Sequence, residues 1–341
     1  MVKRALRPLQ LVLVCLLIAL CASCARRENA HTRVRIAVGG QTQMVYLATT
    51  LAQELGFYRE EGLEVELQDF QGGAKALQAL VGGSADVVSG YYDHTIQMAA
   101  EGRELVAFVT MLRYPGLVLA TSPQAAAEVT TIEKLQGRIA GVTTPGSSSH
   151  MFLTFLLVKH HVPPESVSVT GIGGGATALA ALERGRVDAG WTSDPAFTLL
   201  QRRNPGVRVL ADLRDERGTL AAFGTTTYPG AVLYSSGDWL RANHDTAARL
   251  ARAIVRTLQW MHAHSAQEIA AKTPKALRGE DDALFVESLT NSMPMFSTDG
   301  VMPADGAAEV RTLLAASMEK VRDATIDLSR TYTNELVNGR K

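Results

Sequence analysis

The sequence predicts an α/β protein built from two similar lobes with a ligand cleft between them. Residues 72–86 (GGAKALQALVGGSAD) and residues 174–188 (GGATALAALERGRVD) are identical at nine of fifteen positions, at an offset of 102. Around each copy, short β-branched segments alternate with segments of helical periodicity. This alternation is typical of parallel sheets with right-handed crossovers. We infer that one α/β unit occurs twice in the chain.

Each copy contains the same elements in the same order. A β-branched strand runs into a polar loop and an apolar-periodic helix, and a second strand, a helix opened by Gly-Gly and a third strand follow. A glycine (Gly83 or Gly185) ends the Gly-Gly helix as a C-cap, and an aspartate (Asp86 or Asp188) starts the third strand. The segments are 34–38, 44–55, 63–67, 72–83 and 85–90 in the first copy, and 138–142, 150–160, 166–170, 174–185 and 187–191 in the second.

Two long helices are predicted beyond Val232. Residues 239–264 place Leu250, Ile254 and Leu258 on one helical face, and residues 305–321 have a similar pattern. Prolines separate these helices from their neighbours. A helical tail of this kind is expected to pack back on the first lobe.

The predicted domain organisation follows from the repeat and from this tail. Residues 33–119 together with 225–341 form a discontinuous lobe I, and residues 120–224 form lobe II. The chain is expected to cross between the lobes near Leu117–Ser122 and near Ala222–Tyr228. In parallel α/β sheets, ligands bind beyond the carboxyl ends of the strands. Because both lobes would point these ends at the cleft, one ligand can be held from two sides.

The first 23 residues have the pattern of an export signal. A basic start is followed by an apolar run at 9–20, which is short for a membrane span. The segment CASC then ends at Cys24, and small residues before a cysteine resemble the lipobox of bacterial lipoproteins. We predict a signal peptide over 1–23, lipidation at Cys24 and a linker over 24–32. Ordinary cleavage after Ala25 is the alternative.

Composition and charge argue against several functional classes. Lys plus Arg and Asp plus Glu both total 34, and removal of the first 23 residues leaves about three negative charges, with no basic stripe for nucleic acid. No cysteine follows Cys24, so the body has no thiol for a disulfide, a zinc site or a nucleophile. Walker, HExxH and GxSxG motifs are absent, and the histidines lack metal-ligand spacing. We expect no enzymatic activity, no metal and no cofactor.

Five segments carry a resemblance to a known group: 51–67, 72–87, 132–142, 178–195 and 332–337. In them the chain resembles the periplasmic substrate-binding proteins of ABC importers, in the NMT1-like superfamily for nitrate, sulfonates, taurine and thiamine precursors. The resemblance implies a two-lobed periplasmic-binding-protein clamshell of type II. It also implies a monomer that delivers a small solute to an ABC permease and its ATPase subunits. The expected location is the periplasm or the outer face of the cytoplasmic membrane, with a lipid anchor.

The loop TTPGSSSH precedes the first helix of the second copy and is the main candidate for ligand binding. A helix start has unpaired N–H groups and partial positive charge, which favour an anion or a polar oxygen. Serine hydroxyls add donors, and one serine is expected to cap the helix. The candidates here are Thr144, Gly146, Ser147 and Ser148. In related proteins this loop contacts the acidic group of the ligand.

Other candidates follow strand ends or open helices. The polar loop of lobe I offers hydroxyl and amide groups, the third strands end in aromatic residues, and Gly-Gly permits close approach of a ligand. Asp194 is a candidate with an alternative role as the cap of the next helix. The predicted contacts outside the serine loop are Gln41, Thr42, Tyr46, Gly73, Tyr91, Tyr92, Trp191 and Asp194.

The predicted ligand is a small organic anion such as a sulfonate, taurine or nitrate, because the loops offer neutral donors and few cations. A flat heteroaromatic, such as a pyrimidine-like thiamine precursor, is the alternative, since its N–H groups would suit Asp93 or Asp194 beside the aromatic residues. An extracellular sensor domain and a pyrimidine-synthase-like enzyme are more remote alternatives. Such an enzyme of this fold has a cysteine cluster that the body of this chain lacks.

Overall fold

The computed structural model describes residues 31–337, which form two five-stranded sheets with flanking helices. The first sheet has the order β2-β1-β3-β10-β4 and the second has the order β7-β6-β8-β5-β9. The strands are β1 (Thr32–Val38), β2 (Leu63–Asp69), β3 (Val87–Tyr91), β4 (Leu105–Thr110), β5 (Val118–Thr121), β6 (Ile139–Val142), β7 (Ser168–Gly171), β8 (Ala189–Thr192), β9 (Val209–Asp212) and β10 (Ala231–Ser236).

Fifteen α-helices connect or cover these strands within the described residues. The helices of the first half are α1 (Leu47–Glu54), α2 (Phe57–Glu60), α3 (Gly73–Val81), α4 (Asp93–Ala100), α5 (Ser148–Lys159), α6 (Ala176–Glu183), α7 (Ala196–Arg203) and α8 (Glu216–Phe223). Those of the second half are α9 (Gly237–Ala242), α10 (His244–Ala263), α11 (Ala266–Lys272), α12 (Lys275–Arg278), α13 (Asp282–Ser292), α14 (Gly306–Ser317) and α15 (Glu319–Asp323).

The two sheets repeat one arrangement, as the internal repeat predicts. In each sheet the first three strands are parallel, and the fourth strand in sheet order, β10 or β5, runs antiparallel to both neighbours. The Gly-Gly helices are α3 and α6, and Gly83 and Gly185 follow them with φ of 74° and 63°. Positive φ favours glycine at a helix end. The predicted two-lobed α/β fold is confirmed.

The chain passes between the sheets twice. The first passage lies between β4 and β5, over residues 111–117, and the second lies between α8 and β10, over residues 224–230. The first predicted crossing, Leu117–Ser122, falls mostly on β5 itself, which pairs with β8 and β9 of the second sheet. We therefore place the start of lobe II before β5. The predicted signal peptide (1–23), Cys24 and residues 24–30 of the predicted linker lie outside the described residues.

The predicted helix over 239–264 is two helices. Asn243 has φ of −124° and ψ of 33°, which lies outside the α region, so α9 ends before it and α10 begins after it. The Asn243 side-chain amide donates to the carbonyl of Trp239 at 3.0 Å, a local bond that competes with the helix ladder. The apolar stripe of α10 is buried as predicted, and α10 packs against α1, α2 and β4. No helix within residues 31–337 has the length and apolar character that a membrane span requires.

The strand-start aspartates fasten the third strand of each lobe to the first. Asp86 accepts from the backbone N–H of Arg35 at 2.8 Å and from its guanidinium at 2.7 Å. Asp188 accepts from the backbone N–H of Ile139 at 2.8 Å in the second lobe. The same contact therefore occurs in both copies, and it has a structural role.

We expect Asp86→Ala to lower the free energy of unfolding by about 1–3 kcal/mol, because the Arg35 amide and guanidinium lose their acceptor. Urea unfolding followed by circular dichroism measures the change. Glu64→Ala is the matched control, since Glu64 is exposed in a neighbouring strand, and it should change stability by less than about 0.5 kcal/mol. Equal effects of the two substitutions would contradict the assignment.

Candidate functional site

A small cavity lies in the cleft between the two lobes, at the carboxyl ends of the strands. Its volume is about 20 Å³, which holds about one water molecule. The two lobes are therefore nearly closed on each other, and a solute requires them to part. Both lobes contribute to the lining, which consists of Gly39, Gln43, Tyr46, Gly73, Tyr91, Leu117, Thr143, Ser147, Ser148 and Ser149.

The start of α5 forms the lobe II wall of the cavity. Ser147, Ser148 and Ser149 are buried there. Within residues 31–337, the backbone N–H groups of Ser148 and Ser149 have no hydrogen-bond acceptor. These two donors carry the partial positive charge of a twelve-residue helix, which makes them suited to an anion or a carbonyl oxygen.

Ser147 and Ser149 are held in place by each other and by the preceding threonines. Ser147 Oγ lies 2.7 Å from Thr143 Oγ1 and 2.9 Å from Ser149 Oγ, and it donates to the carbonyl of Thr144 at 2.7 Å. Ser147 occupies the N-cap position, but its hydroxyl accepts from no amide of α5, so the predicted side-chain cap is wrong. The backbone N–H groups of Ser148 and Ser149 therefore remain without an acceptor within residues 31–337.

Two tyrosines form the lobe I wall. Tyr46 and Tyr91 are buried and meet edge to face, with ring centroids 6.3 Å apart. The Tyr91 hydroxyl donates to the carbonyl of Pro115. Burial raises the pKa of both phenols, so they are neutral. Gly73 lies beside them, and a Cβ there would come within 2.8 Å of His94 Cε1. The wall therefore offers aromatic surface and a close backbone approach.

Asp93 is a buried carboxyl group that is bonded to the start of α5. Ser148 Oγ donates to Asp93 Oδ1 at 2.7 Å, and the Tyr228 hydroxyl donates to Oδ2 at 3.1 Å. Burial raises the pKa of Asp93 to about 7, although these two hydroxyls and the His94 amide favour the ionised form. Asp93 of lobe I is thus hydrogen-bonded both to the start of α5 in lobe II and to the second passage between the lobes.

His94 follows Asp93 and is also buried. Its Nδ1 lies 3.1 Å from the Tyr234 hydroxyl, whereas its Nε2 has no hydrogen-bond partner among the described residues. Burial lowers the pKa of His94 to about 4, so the imidazole is neutral near pH 7. No group of three or more His, Cys, Asp or Glu within residues 31–337 has the geometry of a metal site.

At the Gly-Gly pairs, side chains of one lobe lie close to the backbone of the other. A Cβ on Gly72 would lie 2.7 Å from Thr144 Oγ1, across the cleft. At the equivalent Gly-Gly pair of lobe II, a Cβ on Gly174 would lie 2.4 Å from the Gln43 carboxamide, and one on Gly175 would lie 2.7 Å from Thr42 Oγ1. A Cβ at any of these three glycines would displace a side chain of the facing loop, so the glycines allow the lobes to approach closely.

Three of the predicted contacts point away from the cavity. The Tyr92 hydroxyl lies 2.6 Å from Thr331 Oγ1, inside lobe I. Trp191 is buried against Phe152 of α5, with ring centroids 6.0 Å apart. Asp194 Oδ1 accepts from the amide and hydroxyl of Thr198, and its Oδ2 accepts from Arg214 and Ser292. The neighbours of these residues, which the sequence does not reveal, direct them inward, so we assign them structural roles.

Four other predicted contacts lie at the rim rather than in the lining. The backbone N–H of Gln41 donates to Asp69 Oδ1 at 2.6 Å. Thr42 is exposed and faces Gly175. The exposed Gly146 donates to His150 Nδ1 at 3.2 Å. Thr144 is half-buried against Gly72, and its hydroxyl has no partner among the described residues. The lining does contain the predicted residues Tyr46, Gly73, Tyr91, Ser147 and Ser148.

Two polar groups of the site are absent from the predicted contacts. Gln43 lines the cavity, and Asp93, which the sequence suggests only for a heteroaromatic ligand, is bonded to the lining residue Ser148. Gln43 donates to the carbonyl of Gly39 at 3.0 Å and accepts from Ser193 of lobe II at 3.4 Å. It lies in the predicted polar loop, so position alone could have suggested it. Asp93 lies in the segment SGYYDH, but its contact with Ser148 joins residues 55 positions apart. Such a pairing has no local signal in the sequence.

The two lobes and the cleft between them give the chain the periplasmic-binding-protein fold. Residues 43–268 match the NMT1/THI5-like family, and the chain belongs to it. A solved structure from Bordetella bronchiseptica RB50 is 38% identical, has a TM-score of 0.86, and aligns over 90% of this chain and 96% of its own.

Two further proteins are less similar, one compared by structure and one by sequence. The alkanesulfonate-binding protein SsuA from Xanthomonas axonopodis pv. citri, solved with bound MOPS, is 18% identical with a TM-score of 0.71, over 89% of this chain and 98% of its own. YtlA of Bacillus subtilis (strain 168) is 23% identical over 251 residues, which is 73% of this chain and 71% of YtlA. At 18% identity, the likeness to SsuA establishes the fold alone.

The burial of Asp93 predicts a pH-dependent stability. Folding raises its pKa from about 4 in an unfolded chain to about 7, so the folded state binds the proton more tightly. The stabilisation is fully present below about pH 4 and is lost as the pH rises to about 7, with an upper limit of about 4 kcal/mol. We expect Asp93→Asn to gain about 1–4 kcal/mol over wild type between about pH 5 and pH 8 in urea unfolding. Parallel pH profiles for the two proteins would contradict this.

Proposed function

We propose that the protein is the extracytoplasmic solute-binding component of an ABC importer. It captures a small solute between its lobes and delivers it to a membrane permease and its ATPase subunits. Membership in the NMT1/THI5-like family and the cleft between duplicated lobes support this proposal. A periplasmic location, a lipid anchor at Cys24 and a monomeric state are part of the same proposal.

The proposed ligand is a small organic anion of the sulfonate class. The observation that carries this choice is the pair of N–H groups without acceptors on Ser148 and Ser149, two buried residues that line the cavity at the start of α5. Buried amides in a water-poor site are strong anion donors because they are already oriented. None of the described lining residues is Lys or Arg. The ligand would therefore be held by neutral donors, with Tyr46, Tyr91 and Gly73 beside its organic part.

A heteroaromatic thiamine-precursor-like solute is the second candidate. Asp93 is the observation that favours it, since a buried carboxylate accepts hydrogen bonds from the N–H groups of a pyrimidine or an amine. Tyr46 and Tyr91 would pack against its ring. The two candidates share one site and differ in which group of the cleft, the α5 amides or Asp93, binds the polar end of the solute.

We expect Ser148→Pro to weaken sulfonate binding about tenfold or more relative to Ser148→Ala, as measured by titration calorimetry. Ser148 is the first residue of α5, where proline is tolerated, and the preceding Ser147 has an extended backbone that proline accepts. Proline removes the N–H that alanine keeps, and both remove the hydroxyl. Equal affinities of the two variants would show that the α5 amide is not the anion donor.

Gly174→Val should obstruct closure of the cleft and weaken solute affinity about tenfold or more, because the new side chain would meet Gln43 from the opposite lobe. The melting temperature of the solute-free protein should change little, since Gly174 has no positive φ. Gly206→Val is the matched control, because a Cβ at Gly206 has no atom within 4 Å among its described neighbours. Undiminished affinity of Gly174→Val would contradict closure around the solute.

A further inference from the structure

Asp93 is the carboxyl group that is hydrogen-bonded to the proposed anion site. Its side chain is fully buried, and Ser148 Oγ donates to it at 2.7 Å. Ser148 lines the cavity, and its backbone N–H has no acceptor within residues 31–337. An anion that accepts from that N–H would lie roughly 5–8 Å from the Asp93 carboxyl, because a bent path of two hydrogen bonds and one serine joins them.

Two negative charges at that separation repel each other strongly where water is excluded. A cation could offset the repulsion, but no Lys or Arg is among the described lining residues. The alternative is to neutralise Asp93 with a proton. The hydroxyl of Ser148 makes this possible, because it can donate to a carboxylate or accept from a carboxylic acid.

The other titratable groups that face Asp93 are neutral near pH 7. Burial raises the pKa of Tyr46, Tyr91, Tyr228 and Tyr234, and it lowers the pKa of His94 and of the half-buried His150. Helices α14 and α15 pack against α4 from the other side. Their charged side chains are exposed or half-exposed: Glu309, Arg311, Glu319, Lys320, Arg322 and Asp323. Asp93 is therefore the one facing group that would change its charge in this range.

We propose that Asp93 sets the charge of the solute that the cleft accepts, by coupling the capture of one anion to the uptake of one proton. This inference rests on the proposed function, namely an anion at the start of α5. The proton comes from solvent and binds to Asp93 Oδ1, which then donates to Ser148 Oγ. The Ser148 hydroxyl hydrogen, now released from Asp93, turns toward the solute. The anion thereby gains a third donor as it loses a repelling charge, and the proton leaves when the solute leaves.

The coupling distinguishes solutes by charge. Above the pH at which Asp93 ionises in the empty cleft, the affinity for a permanent anion should fall about tenfold per pH unit. A solute that presents an N–H donor to the carboxylate should show the opposite trend, because ionised Asp93 is its acceptor.

Titration calorimetry with ethanesulfonate tests the proposal. Its sulfonate remains ionised throughout the range, so any pH dependence belongs to the protein. The chain beginning at Arg27 contains every described element and is measured from about pH 5.5 to pH 8.5. Repeating the titration in buffers of different ionisation enthalpy counts the protons taken up. We expect uptake to approach one proton per ethanesulfonate at about pH 8, with the tenfold loss per unit. Asp93→Asn should bind with neither dependence, and Glu64→Gln should behave as wild type.

The outcomes separate this inference from the proposed function. Binding of ethanesulfonate with no proton uptake and the same affinity at every pH would overturn the role of Asp93 and leave the anion site standing. An equal pH dependence in Asp93→Asn would also overturn it, since another group would then titrate. Absence of binding to wild type and to Asp93→Asn at every pH would overturn the anion site itself, and the coupling with it.

Discussion

The structure depends on the close approach of two lobes through glycines that have no room for a side chain. Gly72 faces Thr144, and Gly174 with Gly175 faces Gln43 and Thr42, at hypothetical Cβ distances of 2.4–2.7 Å. The contacts occur twice because the lobes are copies that meet face to face. They bring the start of α5 in lobe II against the strand ends of lobe I. This approach also brings Ser148 of lobe II to Asp93 of lobe I, at 2.7 Å.

Closure changes the chemistry of the groups it buries. Two amides of α5 remain without acceptors among residues 31–337, beside an Asp93 carboxyl whose pKa burial raises to about 7. Unpaired polar groups are costly where water is excluded, so a closed empty cleft is unfavourable and a solute that satisfies them stabilises it. This asymmetry gives a physical reason for the lobes to close on a solute rather than on themselves. Neutral donors, unlike a fixed cation, also permit release when the lobes part.

The sequence predicts the sheets and the place of the cleft because those depend on repeated, local patterns. The β-branched strand segments, the Gly-Gly helices and the strand-start aspartates occur in both copies, and the position of a cleft follows from parallel topology. The sequence does not predict the break between α9 and α10 at Asn243, because a side-chain hydrogen bond to Trp239 interrupts an otherwise strong helical pattern. Tyr92, Trp191 and Asp194 stand at strand ends as predicted but turn inward, toward partners distant in sequence. The role of Asp93 likewise depends on Ser148, which only the folded chain brings near.

Electron spin distance measurements between the lobes would test closure around the solute most directly. No cysteine follows Cys24, so Glu64→Cys and Glu165→Cys, both at exposed positions on opposite lobes, give two unique labels in the chain from Arg27. Ethanesulfonate at saturation should convert a broad, longer distance distribution into a single narrow, shorter one. The same labels in Gly174→Val should remain at the longer distance. An unchanged distribution in the labelled protein, with binding verified by calorimetry in the same sample, would contradict capture by closure of the two lobes.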